Sequence, residues 1–398
     1  MIDVLSTKNL LLLTIDCLGA DKFWNLPSGG LDCLHRLETL GVTFRRAFAT
    51  TSSTTPSIAS ILTGEYPFVH GIQSTRGWSL SPRVIPLAEY LKTIGYKTYA
   101  YASGPLREET RLNRGFDEFV YVEPLHRIGM FRWGVQLSRM RRNTALLWKF
   151  LETHVAIGGP WFQWIHLLDL HDRWRKHRRR VTYASEYEHA LEDLDKKLSK
   201  LFGYIDFDHT IVVVCGDHGH FVRALDHRRM PNIPYREAHG FHVYDVLTRV
   251  PLLMINRGVL PEGANVDHCV QTIDVLPTLL GMLHVPPDHP LPGIDLVSAL
   301  PQSSRDATAA HGRQLYLQAC GSILKSPENY LHGIRNEFWK YCEPMGSSPG
   351  RGPELYRLAD DPEEQHNVYE DYREVAAEMR EAMAKCLGRN GSGVCHEA

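Results

Sequence analysis

"NLLLLTID", residues 9–16, is an unbroken apolar run closed by an acid. A strand with one wet face alternates apolar and polar side chains, whereas a continuous run fits a parallel strand covered on both faces. The same design returns at "TIVVVCGDHG" (210–219), and "VPLLMIN" (250–256) is a third run. Helical stretches lie between them, notably "VIPLAEYLKTIG" (84–95) and "YEHALEDLDKKLSKLFGYI" (187–205). Strands alternating with helices predict an α/β fold, a doubly wound, mostly parallel sheet flanked by helices. Ligands of such sheets bind beyond the carboxyl ends of the strands, and Asp16 and Asp217 stand at that edge.

The bulk numbers set the frame. The chain has 398 residues, 43% hydrophobic and 23% charged, which is ordinary for a globular protein able to bury a large core. Its net charge of −2 carries no global basicity, which argues against nucleic acid as a partner. Eight cysteines are scattered without a CxxC pair and read as reduced, mostly buried thiols. "LLLLTI" (10–15) is too short to span a membrane and has no basic leader, so the expectation is a cytoplasmic protein without a transmembrane segment.

Two regions differ in character. Residues 121–180 mix Arg with Trp, Phe and Leu and end in the basic run "RWRKHRRR" (173–180). That stretch reads either as a solvated helical insertion or as a lid that attracts an anionic or lipid-like ester. After about residue 310 come short strand-like pieces, "QLYLQAC" and "EFWKYCEP", and then a charged helix. The division expected is a catalytic domain over 1–310, a small C-terminal α+β subdomain over 311–388 and a flexible tail over 389–398.

"ATTSSTTPSIASILTG" (49–64) packs seven hydroxyls ahead of Ile58. Pro56, the helical spacing of Ile58, Ile61 and Leu62, and the stop at Gly64 predict a short helix starting just after Thr54 or Thr55. Such hydroxyls ordinarily cap helices, and a helix amino end is also a ready anion site. Further groups able to do chemistry are Asp217 and His218, adjacent at a strand end, then His166, Asp169 and His171 in "IHLLDLHDRW", and His239 and His242 in "AHGFHVYD". Strand-end acids with imidazoles supply what a divalent ion needs. This mixed set suits Zn²⁺ or Mn²⁺ better than Ca²⁺ or Mg²⁺.

Taken in order, these motifs resemble the sulfatase-like branch of the alkaline phosphatase superfamily. "LLLTIDCLGAD" is similar to the family's first metal strand and "TTPSIASILTGEYPFVHG" to its nucleophile helix. "RGFDEF", "VVVCGDHG", "HGFHVYDVLTRVPLLM", "TIDVLPTLLGML" and "ELYRLADDPEEQHNV" follow in family order. The resemblance implies a metal set of Asp16, Asp217 and His218 that takes the Thr54 oxygen, one ion being expected and a second possible. It also implies Thr54 as the nucleophile, forming a phosphothreonine, with His171 and His239 facing the substrate.

The pattern departs from true sulfatases in places. Their helix begins Cys (or Ser)-x-Pro-Ser-Arg, and the first residue becomes formylglycine. Here that residue is Thr54, which has no route to the aldehyde, and the arginine is Ile58. The family's Lys/His stretch is replaced by "YASGPLREE", leaving Arg107 as a stand-in for substrate binding. The second acid of the first metal strand is Cys17, either a soft ligand or a core thiol. No DxxxH spacing builds a full second metal site, although Asp169, His171 and His239 are candidates for one. The expectation is therefore a metal-dependent phosphoric ester hydrolase, mono- or diester, with transfer to an alcohol acceptor open. The alternatives are a sulfuric ester hydrolase without formylglycine and a catalytically silent anion-binding member.

Overall fold

The computed structural model describes residues 8–24, 31–123, 133–155, 158–172, 183–222, 239–298, 300, 312–320, 330–345 and 352–388. Among these, the main sheet comprises β1 (Asn9–Ile15), β2 (Val42–Phe48), β3 (Lys97–Ser103), β4 (Glu118–Val122), β5 (Trp161–Leu167), β6 (Thr210–Gly216), β7 (Arg249–Ile255), β8 (Ala264–Val266) and β9 (Val270–Gln271). The strand order is β4-β3-β5-β1-β6-β7-β2-β8, with β9 also on β2. β1 lies in the middle and pairs in parallel with β5 on one side and β6 on the other.

The apolar runs split between two cores because successive side chains point to opposite faces. Leu10, Leu12, Phe162, Trp164 and Val213 enter one core, while Leu11, Leu13, Ile15, Ile165, Val212 and Val214 enter the other. The first is roofed by the Thr54–Thr63 helix through Ile58, Ile61 and Leu62. The second is covered by the Tyr183–Phe202 helix, whose Leu191, Leu194, Leu198 and Leu201 recur every three or four residues along one stripe. Each fully buried leucine contributes about 1.5–3 kcal/mol. The doubly wound reading is what the chain adopts.

Two local expectations are corrected. β7 is antiparallel to both β6 and β2. A continuous apolar run reports burial on both faces but carries no sign of strand direction. Residues 121–180 are not one appended piece, since β5, buried throughout, is a core strand of the sheet. Its Gln163 and His166 interrupt the apolar run and hide it. The Trp133–Val155 helix precedes β5, with Leu147, Phe150 and Leu151 in the second core. The basic run 173–180 and the tail 389–398 lie outside the described residues.

A second, antiparallel sheet runs β10 (Leu315–Ala319), β11 (Leu331–Arg335), β12 (Trp339–Pro344) and β13 (Glu354–Arg357). The Arg373–Gly388 helix packs Ala376, Met379 and Met383 onto Ile334, Tyr341 and Leu355. This C-terminal sheet is fastened beside the hydroxyl-rich loop. The Gln318 N–H donates to the Thr50 carbonyl at 2.8 Å, and Arg313 forms a two-pronged pair with buried Asp274 at 2.6 and 2.7 Å. The seven described cysteines are free thiols. Among the described residues no helix is long and apolar enough to cross a membrane.

Candidate functional site

β1 and β6 end level with one another, Ile15 opposite Gly216, so Asp16 and Asp217 emerge side by side. The turn after β1 is tight: Cys17 has a φ of 62°, which costs a non-glycine residue about 1–3 kcal/mol. That conformation aims the Cys17 N–H at Asp217 Oδ1, at 3.1 Å, and the His218 N–H reaches the same oxygen at 2.7 Å. Gly219 follows where a Cβ would lie 2.1 Å from the Val246 carbonyl oxygen, so only glycine lets the two backbones approach.

Thr54 reaches this edge from the opposite core. Ser53 is the extended N-cap residue, and the helix runs from Thr54 itself to Gly64, which caps it at φ 67°. Thr54 Oγ1 donates to Asp16 Oδ1 at 3.0 Å and lies 3.2 Å from His218 Nε2. The His218 Nδ1 sits 2.8 Å from the Gly219 carbonyl, which fixes the proton on that nitrogen and leaves a lone pair on Nε2. Thr51, Ser52 and Thr55 turn elsewhere: Thr51 Oγ1 donates to the Ser53 carbonyl, Ser52 Oγ to the His242 carbonyl and Thr55 Oγ1 to the Thr75 carbonyl, while Ser53 Oγ is buried without a hydrogen-bond partner among the described residues. Thr54 is the hydroxyl of the cluster turned to the acids.

Histidines close the site. His239 stacks on His218 at 4.5 Å between ring centroids, with His220 5.5 Å and His171 5.8 Å from His239. His166, at the end of β5, is held through Nδ1 by the Thr14 hydroxyl at 2.9 Å. Its Nε2, together with Asp16 Oδ2 and Asp217 Oδ2, is buried without a hydrogen-bond partner. Burial pushes the His166, His218, His220 and His239 imidazoles toward the neutral form, His166 down to about 4. The two acids diverge. Burial works against an ionised Asp16, but His171, His218, His166 and His239 outweigh it and hold its carboxyl below the usual range. Burial, and then the neighbouring Asp16 carboxylate, push Asp217 well above it.

Two buried carboxylates side by side, with orphaned oxygens and neutral imidazoles, are a donor set that fits a divalent cation. Ligand atoms of Asp16, His166 and Asp217 lie within 4.8 Å of one another, as do those of Asp16, Cys17 and His218.

Asp16, Thr54, Asp217, His218, His171 and His239 are thus gathered at one edge. Other candidates have different partners. Arg107 pairs with Glu123 at 2.7 Å and approaches the Tyr121 hydroxyl at 3.3 Å. Asp169 is taken by Lys197 at 2.9 Å, which removes it from any second metal set. His242 meets Glu354 at 3.0 Å. Sequence reasoning passed over His220, although its spacing of two after His218 on extended chain was a usable signal. It noted His166 without assigning it to the metal site.

The family model described as Sulfatase matches residues 8–285, and one described as N-sulphoglucosamine sulphohydrolase, C-terminal, matches residues 239–388. The chain is similar to the Delta 4,5-hexuronate-2-O-sulfatase of Bacteroides thetaiotaomicron, 25% identical over 52% of this chain and 42% of that protein. It is also similar to Arylsulfatase K of Homo sapiens, 25% identical over 58% of this chain and 44% of that protein. The chain therefore spans less than half the length of both relatives. Among solved structures, the phosphonate monoester hydrolase of Agrobacterium radiobacter superposes with a TM-score of 0.71 at 19% identity, covering 96% of each chain. That likeness is one of fold.

Proposed function

The chain belongs to the sulfatase family, and from that premise we propose that it hydrolyses esters of phosphoric or phosphonic acid through Thr54. The observation that carries this reading is the Thr54 hydroxyl, buried at a helix amino end, 3.0 Å from Asp16 Oδ1 and 3.2 Å from His218 Nε2. A threonine hydroxyl is a poor nucleophile until its proton is taken, and both neighbours accept one. Asp16, Asp217 and His218 would hold the divalent ion, which supplies positive charge to the phosphoryl oxygens and acidifies a neighbouring hydroxyl.

The chain's own residues do the rest. Thr54 Oγ forms the new bond to phosphorus as the ester P–O bond breaks, and the Thr54 proton passes to Asp16 or His218. Backbone N–H groups at the start of the Thr54–Thr63 helix steady the phosphoryl oxygens. His171 gives a proton to the departing alkoxide, and water then cleaves the phosphothreonine and regenerates Thr54. An acceptor alcohol replacing that water gives transfer. The substrate is a small or lipid-like anionic ester. The free thiols support a reducing compartment, the cytoplasm, as part of the same reading.

Cleavage of a sulfuric ester is the second reading, favoured by the sulfatases to which the chain is similar. A panel of aryl phosphate monoester, diester, phosphonate and sulfate, assayed with Mn²⁺ or Zn²⁺, separates the two. Phosphorus esters should turn over, Thr54→Ala should lose at least a few orders of magnitude in kcat, and a phosphoryl mass increment should map to Thr54. Turnover of sulfate alone, or an unimpaired Thr54→Ala variant, overturns the proposal.

A further inference from the structure

Cys17 stands beside the acid pair but takes no part in the chemistry proposed above. Its sulfur lies within 4.8 Å of one ring nitrogen each of His220 and His239, and those two nitrogens are equally close to one another. The three donors come from the end of β1, the end of β6 and the loop ahead of the Asp245–Thr248 helix. Cys17 and His220 are buried, and His239 Nδ1 is a buried nitrogen without a hydrogen-bond partner. Cys17 belongs to the second hydrophobic core, but its sulfur is not enclosed by hydrocarbon alone. It faces two imidazoles brought there by separate segments, both tightly constrained: Cys17 at a φ of 62° and His220 just after Gly219.

One sulfur and two imidazoles form a softer donor set than the oxygen-rich one formed by Asp16, His166 and Asp217. On a tetrahedral Zn²⁺, with bonds of about 2.3 Å to sulfur and about 2.0 Å to nitrogen, adjacent donors stand about 3.5 Å apart. The observed separations, all within 4.8 Å, exceed that by little more than an ångström at most. We propose that Cys17, His220 and His239 form a second cation seat, selective for a thiophilic divalent ion such as Zn²⁺, next to the seat at Asp16, Asp217 and His218. Binding there exchanges the Cys17 thiol proton, released to solvent, for the metal–sulfur bond. Three protein donors leave one tetrahedral position open. The Cys17 sulfur is also within 4.8 Å of ligand atoms of Asp16 and His218, so it lies between the two seats. The inference rests on the reading that the acid pair holds the first ion, but the donor sets are separate enough to test apart.

The test strips the full chain with a chelator and titrates it with Zn²⁺ or Co²⁺, reading metal per chain and the near-ultraviolet thiolate-to-cobalt absorption band. The wild type should bind two ions, the band rising with one of them. Cys17→Ser and His220→Ala should each bind one, Cys17→Ser without the band. Asp217→Asn, which keeps an acceptor for the Cys17 N–H, should also bind one and retain the band. This last variant tests the seat even where Cys17→Ser fails to fold. A wild type that binds a single ion, lost in Asp217→Asn and unchanged in Cys17→Ser, overturns the second seat and leaves the first standing. Absence of the thiolate band at two bound ions also overturns it. A chain that binds no divalent ion overturns both readings.

Discussion

Two clusters of buried acids lie on either side of the loop that carries His239, and they are compensated differently. Asp16 and Asp217 are fully buried, and among the described residues their ion-pair contacts are with the His218 imidazole, at 3.5 and 3.6 Å. Asp245 and Glu364 meet true cations. Buried Lys340 contacts both, at 2.7 Å for Glu364, and Arg335 reaches Asp245 at 3.4 Å. Lys340 also donates to the Val243 carbonyl at 2.9 Å, so the second cluster pins the loop while the first faces it. The contrast separates two uses of buried charge. An acid that serves architecture carries its counter-ion in the sequence, whereas an acid that serves chemistry leaves that position to be filled. The pKa shifts follow suit. Burial works against an ionised Asp245, but Arg335 and Lys340 outweigh it and hold its carboxyl at about 2, whereas Asp217 is driven upward.

The strongest way to break this contrast is Asp217→Ala. The ion held at the acid pair and turnover should both vanish, as elemental analysis and the ester panel would show; an undiminished metal content would refute the assignment. In the metal-free chain, by contrast, Asp217→Asn should leave the melting temperature unchanged or raise it. A carboxyl whose folded pKa is raised loses stability as pH rises through that value, so neutralising it costs nothing at pH 7.

His171→Ala should lose about a hundred- to ten-thousand-fold on esters of poorly acidic alcohols and much less on p-nitrophenyl esters. His239→Ala should lose activity about equally on both ester types, because its ring stacks on His218 and its nitrogen belongs to the second seat proposed above. Uniform loss on both ester types in His171→Ala would assign that residue to oxygen stabilisation or metal binding instead. Lys340→Met should then destabilise the fold by about 3–5 kcal/mol in denaturant unfolding, since it strands buried Glu364 and leaves half-buried Asp245 to Arg335 alone. A neutral result would erase the distinction between the clusters. The smallest effect concerns pH. Asp245, depressed from 3.8 to about 2, contributes stability that is present above pH 3.8 and lost as pH falls toward 2. Its share is about 2 kcal/mol, and Asp245→Asn should flatten that limb of the acid unfolding curve.

Much of the first cluster was legible because strand ends announce themselves. The runs at 9–16 and 210–219 each stop at an acid, and a parallel pairing puts both acids on one edge. Thr54 was singled out by the resemblance of "TTPSI" to the family's nucleophile helix, whereas the helix signals alone put the start just after Thr54 or Thr55 and the helix begins at Thr54 itself. What escaped was pairing across the chain. Nothing near Asp169 indicates that Lys197 will claim it, nor that Glu123 will claim Arg107. β5 was hidden because a strand buried in a core can still carry Gln163 and His166. The direction of β7 has no local signature, since Arg249–Ile255 would read alike in either sense.

The bond from Gln318 to the Thr50 carbonyl has a consequence in time. A ribosome delivers the hydroxyl-rich loop early and its C-terminal support more than two hundred residues later, tens of seconds at about 5–20 residues per second. β1 waits almost as long for β6, its partner from residue 210 onward. Throughout that interval the nascent chain exposes apolar strands without their neighbours. It needs shelter until its last third arrives, and a message truncated before β10 would yield a chain whose nucleophile loop lacks its anchor.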